Sequence, residues 1–185
     1  SDLPWHRHVD NIWVKATSIL NLVRRNIYQC SEEVKALAYL SLVRPHLEYA
    51  AAAWDPYRAH DSDQLEKVQR RAARFVKNDY RRTSSVTEFI MDLNWERLSD
   101  RRKNTRLAVF LNALHQQIAI PVDHLQKLTR CTRRSGAGSF IAISSNIDSY
   151  KFSFYPRTVV DWNSLPEPVR LKSSLGSFRG ALHSV

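Results

Sequence analysis

Cysteine and glycine are scarce in this chain, and each shortage excludes something. Two cysteines among 185 residues, Cys30 and Cys131, are too few for a disulfide framework or for a zinc module of paired Cys/His ligands. Free thiols fit a reducing compartment, so the expected setting is intracellular, nuclear or cytoplasmic. Four glycines, at positions 136, 138, 176 and 180, are too few for a turn-rich sandwich and favour long helices. Their placement leaves no Gly-rich phosphate loop and no Gly-x-Ser-x-Gly elbow. No run of about 18 apolar residues is present, so no transmembrane helix is expected. The opening Ser1-Asp2-Leu3-Pro4-Trp5-His6 has no initiator Met, no basic n-region and no apolar core; it does not read as a signal peptide and looks like a chain cut from something longer.

Candidates for chemistry are equally thin. No acidic pair stands in the strand-turn context of two-metal phosphoryl transfer. Asp61-Ser62-Asp63 sits at a predicted helix start, where capping explains it. Asp123-His124 reads as a surface pair, and the seven histidines are scattered, none in ligand spacing with a cysteine. His46 and His115 read as packing or surface groups. No catalytic residue, cofactor or metal site is expected.

Basic charge is abundant. The formal net charge is +10, unevenly spread. Residues 1–60 carry 7 basic and 6 acidic side chains, residues 61–106 carry 12 and 8, and residues 107–185 carry 9 and 4. A basic excess in the later two-thirds is the footprint of a nucleic-acid partner, though an anionic membrane or an acidic protein answers to the same sign.

Much of that charge is patterned. Along Asp61 to Arg82, at about 100° per residue, Leu65, Val68, Ala72, Phe75 and Val76 fall on one side of a helix. Lys67, Arg70, Arg71, Arg74, Lys77 and Arg81 fall on the other. Asp79 lies among the apolar positions and Glu66 at the border, so the basic face holds no carboxylate. Surface helices ordinarily mix signs, because i,i+4 ion pairs stabilise them. This face is either a solvated cationic surface or a seat for a polyanion. Tyr57 before it and Tyr80 beside Arg81-Arg82 add rings on which a base or sugar stacks. Trp13, Trp54, Trp95 and Trp162 lie in or next to apolar stripes and read as core.

The rest of the chain is read as mainly α-helical, a bundle of about six or seven helices. Val9, Ile12, Trp13, Ala16, Ile19, Leu20, Val23 and Ile27 repeat at helical spacing. Ser31-Glu32-Glu33 starts a second helix, Pro45 interrupts it, and His46 to Trp54 resumes. Asp61 with Gln64 caps the basic helix, and Ser85 with Glu88 forms a capping box for a short helix to Leu93. Asn94 caps a long helix to about Ile118, basic first (Arg101, Arg102, Lys103, Arg106) and apolar later. After about Thr129 the character changes. Arg130 to Ser139, with Arg133 and Arg134, is basic and Gly-rich. Phe140–Ile143 and Tyr150–Phe154 are expected as short strands, a minor β element near 139–155. Helices around 159–163 and 175–182 follow. The expected organisation is a helical domain over 1–129 and a basic region over 130–185 packed on it through Tyr155, Trp162 and Leu165. One continuous domain fits nearly as well.

Four motifs in order carry a resemblance: Leu42-Val43-Arg44-Pro45-His46-Leu47-Glu48-Tyr49-Ala50 with Trp54-Asp55-Pro56-Tyr57; Leu65-Glu66-Lys67-Val68-Gln69-Arg70-Arg71-Ala72-Ala73-Arg74-Phe75; Tyr80-Arg81-Arg82-Thr83-Ser84-Ser85-Val86 with Leu93-Asn94-Trp95 and Arg101-Arg102; and Phe154-Tyr155-Pro156-Arg157-Thr158 with Asp161-Trp162-Asn163-Ser164-Leu165-Pro166. In this order and spacing they resemble the C-terminal region of reverse transcriptases from non-LTR (LINE-type) retrotransposons of the Jockey and CR1 kind. The resemblance implies the thumb and the region after it, a helical clamp gripping template–primer through phosphates. Lys67, Arg70, Arg71, Arg74 and Lys77 match the gripping helix. The family's paired-aspartate palm motif, endonuclease and cysteine-rich knuckle have no counterpart here, so this polypeptide is not expected to polymerise DNA by itself. The expected function is a non-catalytic nucleic-acid-binding module for RNA, DNA or a hybrid. The alternative is a domesticated cationic host protein acting on an acidic protein or an anionic membrane.

Overall fold

The computed structural model describes residues 5–128 and 137–182. Among these residues the chain is mainly helical. It divides into two compact units, Ser1–Arg102 and Lys103–Val185. The boundary falls inside one helix, whereas the sequence placed a change of character after residue 129.

The first unit begins with α1 (Trp5–Asn26), whose periodic apolar positions bury Val9, Ala16, Leu20 and Val23 and whose last turn carries Arg24 and Arg25, a placement the helix dipole favours. After α2 (Glu32–Ala38) comes a π-helical turn, Tyr39–Val43, leading into α3 (Arg44–Glu48). Pro45 explains that turn. It lacks an N–H and its ring crowds the carbonyl four residues back, so the ladder slips, and Arg44 N–H reaches Tyr39 O, five residues back. The short α4 (Ala51–Trp54) follows Ala50, which has φ +52°. The basic helix is α5 (Ala59–Val76), and α6 is Val86–Asp92.

Two helix ends in this glycine-poor chain are closed by asparagine. Asn78 (φ +50°) and Asn94 (φ +52°) adopt the left-handed conformation after α5 and α6. Asp79 N–H then returns to Arg74 O at 3.1 Å, and Trp95 N–H to Ile90 O at 3.0 Å, satisfying orphan carbonyls at each terminus. Asn94 therefore ends α6 rather than capping the next helix, α7 (Leu98–Leu114). The Ser85 half of the capping box is present, its side chain accepting from Glu88 N–H at 3.4 Å.

The core of this unit sets the buried stripe of α1 against Leu65, Val68, Ala72, Phe75 and Val76 of α5, with Val43, Leu47, Trp54 and Leu98 around them. Each fully buried aliphatic side chain contributes roughly 1.5–3 kcal/mol. Tyr39 stacks on Trp95 at 4.5 Å between ring centroids, and its hydroxyl donates to Gln69 Oε1 at 3.0 Å. Lys35 is buried with its ammonium 5.3 Å from the Phe75 ring centre, a cation–π contact.

The second unit holds the rest of α7 with α8 (Asp148–Lys151), α9 (Phe154–Ser164), α10 (Glu167–Arg170) and α11 (Leu175–Leu182). Its core gathers Leu107, Phe110 and Leu111 with Phe140, Val159, Trp162, Leu165, Val169, Phe178 and Leu182. Phe110 meets Trp162 edge-on at 5.2 Å, and Trp162 stacks on Phe178 at 5.6 Å. The expected β element is corrected here. Among the described residues there is no strand, only an isolated antiparallel bridge between Lys127 and Phe140, and Tyr150 to Phe154 belongs to helical turns. On one edge the pairing stops at this bridge, through Leu128 N–H to Ser139 O at 2.9 Å and Ile141 N–H to Gln126 O at 2.8 Å; on the other, the Asn163 side chain accepts from Phe140 N–H at 3.0 Å and donates to Phe140 O at 2.8 Å, taking both groups a second partner strand would need. The helices among the described residues are also more numerous than the six or seven expected, in part because left-handed Ala50 divides the stretch His46–Trp54 that periodicity reads as continuous. No helix among the described residues is long and apolar enough to cross a membrane.

Candidate nucleic-acid interface

Helix α5 buries the five residues assigned to its apolar stripe and exposes Lys67, Arg70 and Arg71 opposite them. These three cations make no ion pair or side-chain hydrogen bond among the described residues. Glu66, the nearest carboxylate on the helix, is turned away; it accepts Ser99 N–H at 2.8 Å in the first turn of α7. Burial pushes the Glu66 carboxyl above its ordinary range, opposed by that backbone hydrogen bond.

The helix ends at Val76, six residues earlier than the amphipathic pattern runs, so the later members of the basic face leave it. Arg74 is half-buried and donates through Nη1 to Arg81 O at 2.9 Å and Asp79 O at 3.4 Å, holding the turn that follows. Lys77 pairs with Glu32 at 3.2 Å and Asp92 at 3.8 Å. Arg81 lies across Asp79, with Nη2 donating to Oδ2 at 2.9 Å and its backbone N–H to Oδ1 at 2.9 Å. The Arg81 and Ser84 hydrogen bonds hold the Asp79 carboxyl well below the usual carboxylate range, and the same contact raises Arg81. Arg82 is exposed and makes no side-chain contact of this kind among the described residues.

On α7 the basic run is turned inward. Arg101 forms a two-pronged pair with Glu48, with Nη2 to Oε2 at 3.1 Å, and lies 3.7 Å from Glu96. Hydrogen bonding to Glu48 holds its guanidinium charged. Arg102 is fully buried, donating to Asp55 at 2.9 Å and Ser62 Oγ at 3.1 Å. Lys103 lies 3.7 Å from Asp161, which also takes Arg106. Arg130, Arg133 and Arg134 lie outside the described residues.

Tyr80 leads to residues the sequence reading missed. It lines an open cleft of about 430 Å³ with Asn21, Arg24, Arg25, Tyr28, Phe75 and Asn78. Arg24 lies 5.4 Å from the Tyr80 ring centre and donates to its hydroxyl at 3.4 Å. Tyr28 and Tyr80 expose 61% and 52% of their surface, high for rings that a core would claim. The signal was present: Asn21, Arg24, Arg25 and Tyr28 stand at i, i+3, i+4 and i+7, the first three on one stripe of α1 and Tyr28 in the turn just past its end. The cleft therefore offers two guanidiniums and two rings within one concavity, the combination that holds a phosphate and stacks a base.

Compared with known protein families, curated proteins and solved structures, the chain matches none.

Proposed function

We propose that this chain is a non-catalytic nucleic-acid-binding module that grips a phosphate backbone along α5, in the manner of the thumb of a non-LTR retrotransposon reverse transcriptase. The observation that carries the reading is the outward set Lys67, Arg70 and Arg71, cations with no internal partner on a helix whose other basic groups are engaged. A cation that folding does not use breaks no internal contact when it binds a ligand, and releasing condensed counterions drives the association. The Arg24/Arg25/Tyr28/Tyr80 cleft adds a place for an unpaired nucleotide, which supports a junction or a single-stranded end over a uniform duplex.

The competing reading, insertion into an anionic membrane, needs apolar faces that can leave the fold. The stripes of α1 and α5 are packed against each other in the core of the first unit, which counts against those two helices serving that purpose. The test is fluorescence anisotropy with labelled hybrid duplex, duplex DNA and single-stranded RNA over a salt series. Binding whose logarithm falls with log salt by about 0.7–0.9 per phosphate contacted is the expected result. Absence of binding at low salt sinks the proposal.

A further inference from the structure

Three potential metal ligands converge where the first turns of α1 and α5 meet. His6 Nδ1 lies 2.8 Å from Asp61 Oδ1, and His60 Nδ1 lies 3.3 Å from the same oxygen. All three ligand atoms fall within 4.8 Å of one another. Asp61 is 4% exposed, yet the groups that address its carboxylate are these two imidazoles rather than a permanently charged cation. The sequence reading assigned Asp61 to a cap. The structure starts α5 at Ala59 with Arg58 as N-cap and no side-chain capping bond, which frees the carboxylate for another use.

A further contact sharpens the case. His6 Nε2 faces Asp10 Oδ2 at 3.5 Å, while Gln64 Nε2 donates to Asp10 Oδ1 at 3.0 Å and fixes that carboxylate. His6 thus has a carboxylate at each ring nitrogen. A neutral imidazole carries one N–H and one lone pair, so it satisfies only one of them. With Nε2 turned to Asp10, Nδ1 is aimed at the Asp61 oxygen, the orientation in which one metal ion bridges the two. A carboxylate behind a histidine that ligates through its other nitrogen is the arrangement metal sites use to orient the ring.

We propose that His6, His60 and Asp61 bind a borderline divalent cation of the Zn²⁺ class, with Asp10 and Gln64 orienting His6. Two imidazoles and one carboxylate suit Zn²⁺ rather than Mg²⁺ or Ca²⁺, which prefer all-oxygen shells. Metal–ligand bonds of about 2.0–2.2 Å place the ligand atoms of a tetrahedral site about 3.3 Å apart. The His60–Asp61 separation already meets this, the His6–Asp61 separation needs an opening of about 0.5 Å on that estimate, and the two imidazole nitrogens, no more than 4.8 Å apart, settle toward the same spacing as the ion binds. The His6 side chain is 53% exposed and free to turn by that amount. The ion ties α1 to α5, and three protein ligands leave a fourth position for water. This site is independent of the nucleic-acid reading.

The test is titration of the EDTA-stripped, full-length chain with ZnCl₂ by calorimetry, with thermal unfolding alongside. One equivalent bound, with a rise of several degrees in Tm, is expected. His60→Ala changes an exposed ring and leaves the fold intact by circular dichroism; it should lower Zn²⁺ affinity at least tenfold and abolish the Tm rise. Asp10→Asn should weaken binding by about 10- to 100-fold, the usual cost of losing an orienting partner. Absence of stoichiometric Zn²⁺ binding by the wild type overturns the proposal. Undiminished affinity in His60→Ala overturns it equally, since the ion would then bind elsewhere.

Discussion

Arg102 Nε donates to Asp55 Oδ1 at 2.9 Å, and the two side chains are 0% and 5% exposed. A guanidinium and a carboxylate 47 residues apart thus neutralise each other inside the first unit, with Ser62 Oγ taking a further N–H. Sequence reading groups Arg102 with the cations of a binding surface, whereas its energetics belong to folding.

Arg102→Ala takes away the buried guanidinium that pairs with the Asp55 carboxylate. The expected cost is about 3–5 kcal/mol, read as a lower urea midpoint. Arg70→Ala, on the exposed face of α5, is expected to stay within about 0.5 kcal/mol of wild type. Equal effects of the two would refute the division between structural and outward cations.

Replacing Lys67, Arg70 and Arg71 together with Ala should reduce the salt slope of duplex DNA binding by about 2–3, at about 0.9 per lost phosphate contact. Arg74→Ala should loosen the turn at 77–84 at a cost of about 1 kcal/mol and leave the slope as it was. A large slope change in Arg74→Ala with none in the triple variant would move the contact surface off α5.

Tyr28→Ala and Tyr80→Ala are predicted to weaken single-stranded binding by about 1–3 kcal/mol for each stacked base, with a smaller effect on a blunt duplex. Titration of the two ligands side by side decides this. Equal losses on both would mean that the rings support the fold and do not stack bases.

Tyr39 is fully buried, and desolvation pushes its phenol far above the ordinary range. Folded and unfolded forms are both protonated below about pH 10, so the group adds no pH dependence there. Above that the unfolded chain ionises and the folded chain resists, and stability falls by about 1.4 kcal/mol per pH unit. Tyr39→Phe should remove one proton's worth of that alkaline slope, seen in urea midpoints between neutral and strongly alkaline pH. It should cost about 1–2 kcal/mol at neutral pH through the Gln69 hydrogen bond.

Ala50 is exposed and left-handed at φ +52°. That conformation costs an L-residue about 1–2 kcal/mol, against about 0.5–1 kcal/mol of extra chain entropy lost by glycine. Ala50→Gly should therefore stabilise by about 0.5–1 kcal/mol. A lower Tm for this variant would count against the backbone described at the α3–α4 junction.

Much of the helical architecture was legible because it rests on periodicity, a local property. The stripe Leu65, Val68, Ala72, Phe75 and Val76 announces both the helix and its buried side. Ser85 and Glu88 mark a start, and Pro45 marks a break, by stereochemistry that needs no distant partner. Phe140–Ile143 and Tyr150–Phe154 misled for the complementary reason. Strand composition pays off only when another strand supplies the ladder, and here the pairing of Phe140 stops at one bridge with Lys127, Asn163 takes its other edge, and 148–151 and 154–164 coil into helix.

The candidate site divides along the same line. That α5 carries a cationic face was fixed by residue spacing alone, since a helix projects every third or fourth side chain together. Which cations stay outward was decided by carboxylates far off in the chain: Glu48 and Asp55 for α7, Glu32 and Asp92 for Lys77, with Asp79 close by for Arg81. The meeting of the Asn21/Arg24/Arg25 stripe with Tyr80, and the His6/His60/Asp61 cluster, were invisible, because α1 and α5 are neighbours only after packing. Charge type and period are written in the sequence. The pairing of charges, which sets what each one is free to do, is a property of distances that only the folded chain supplies.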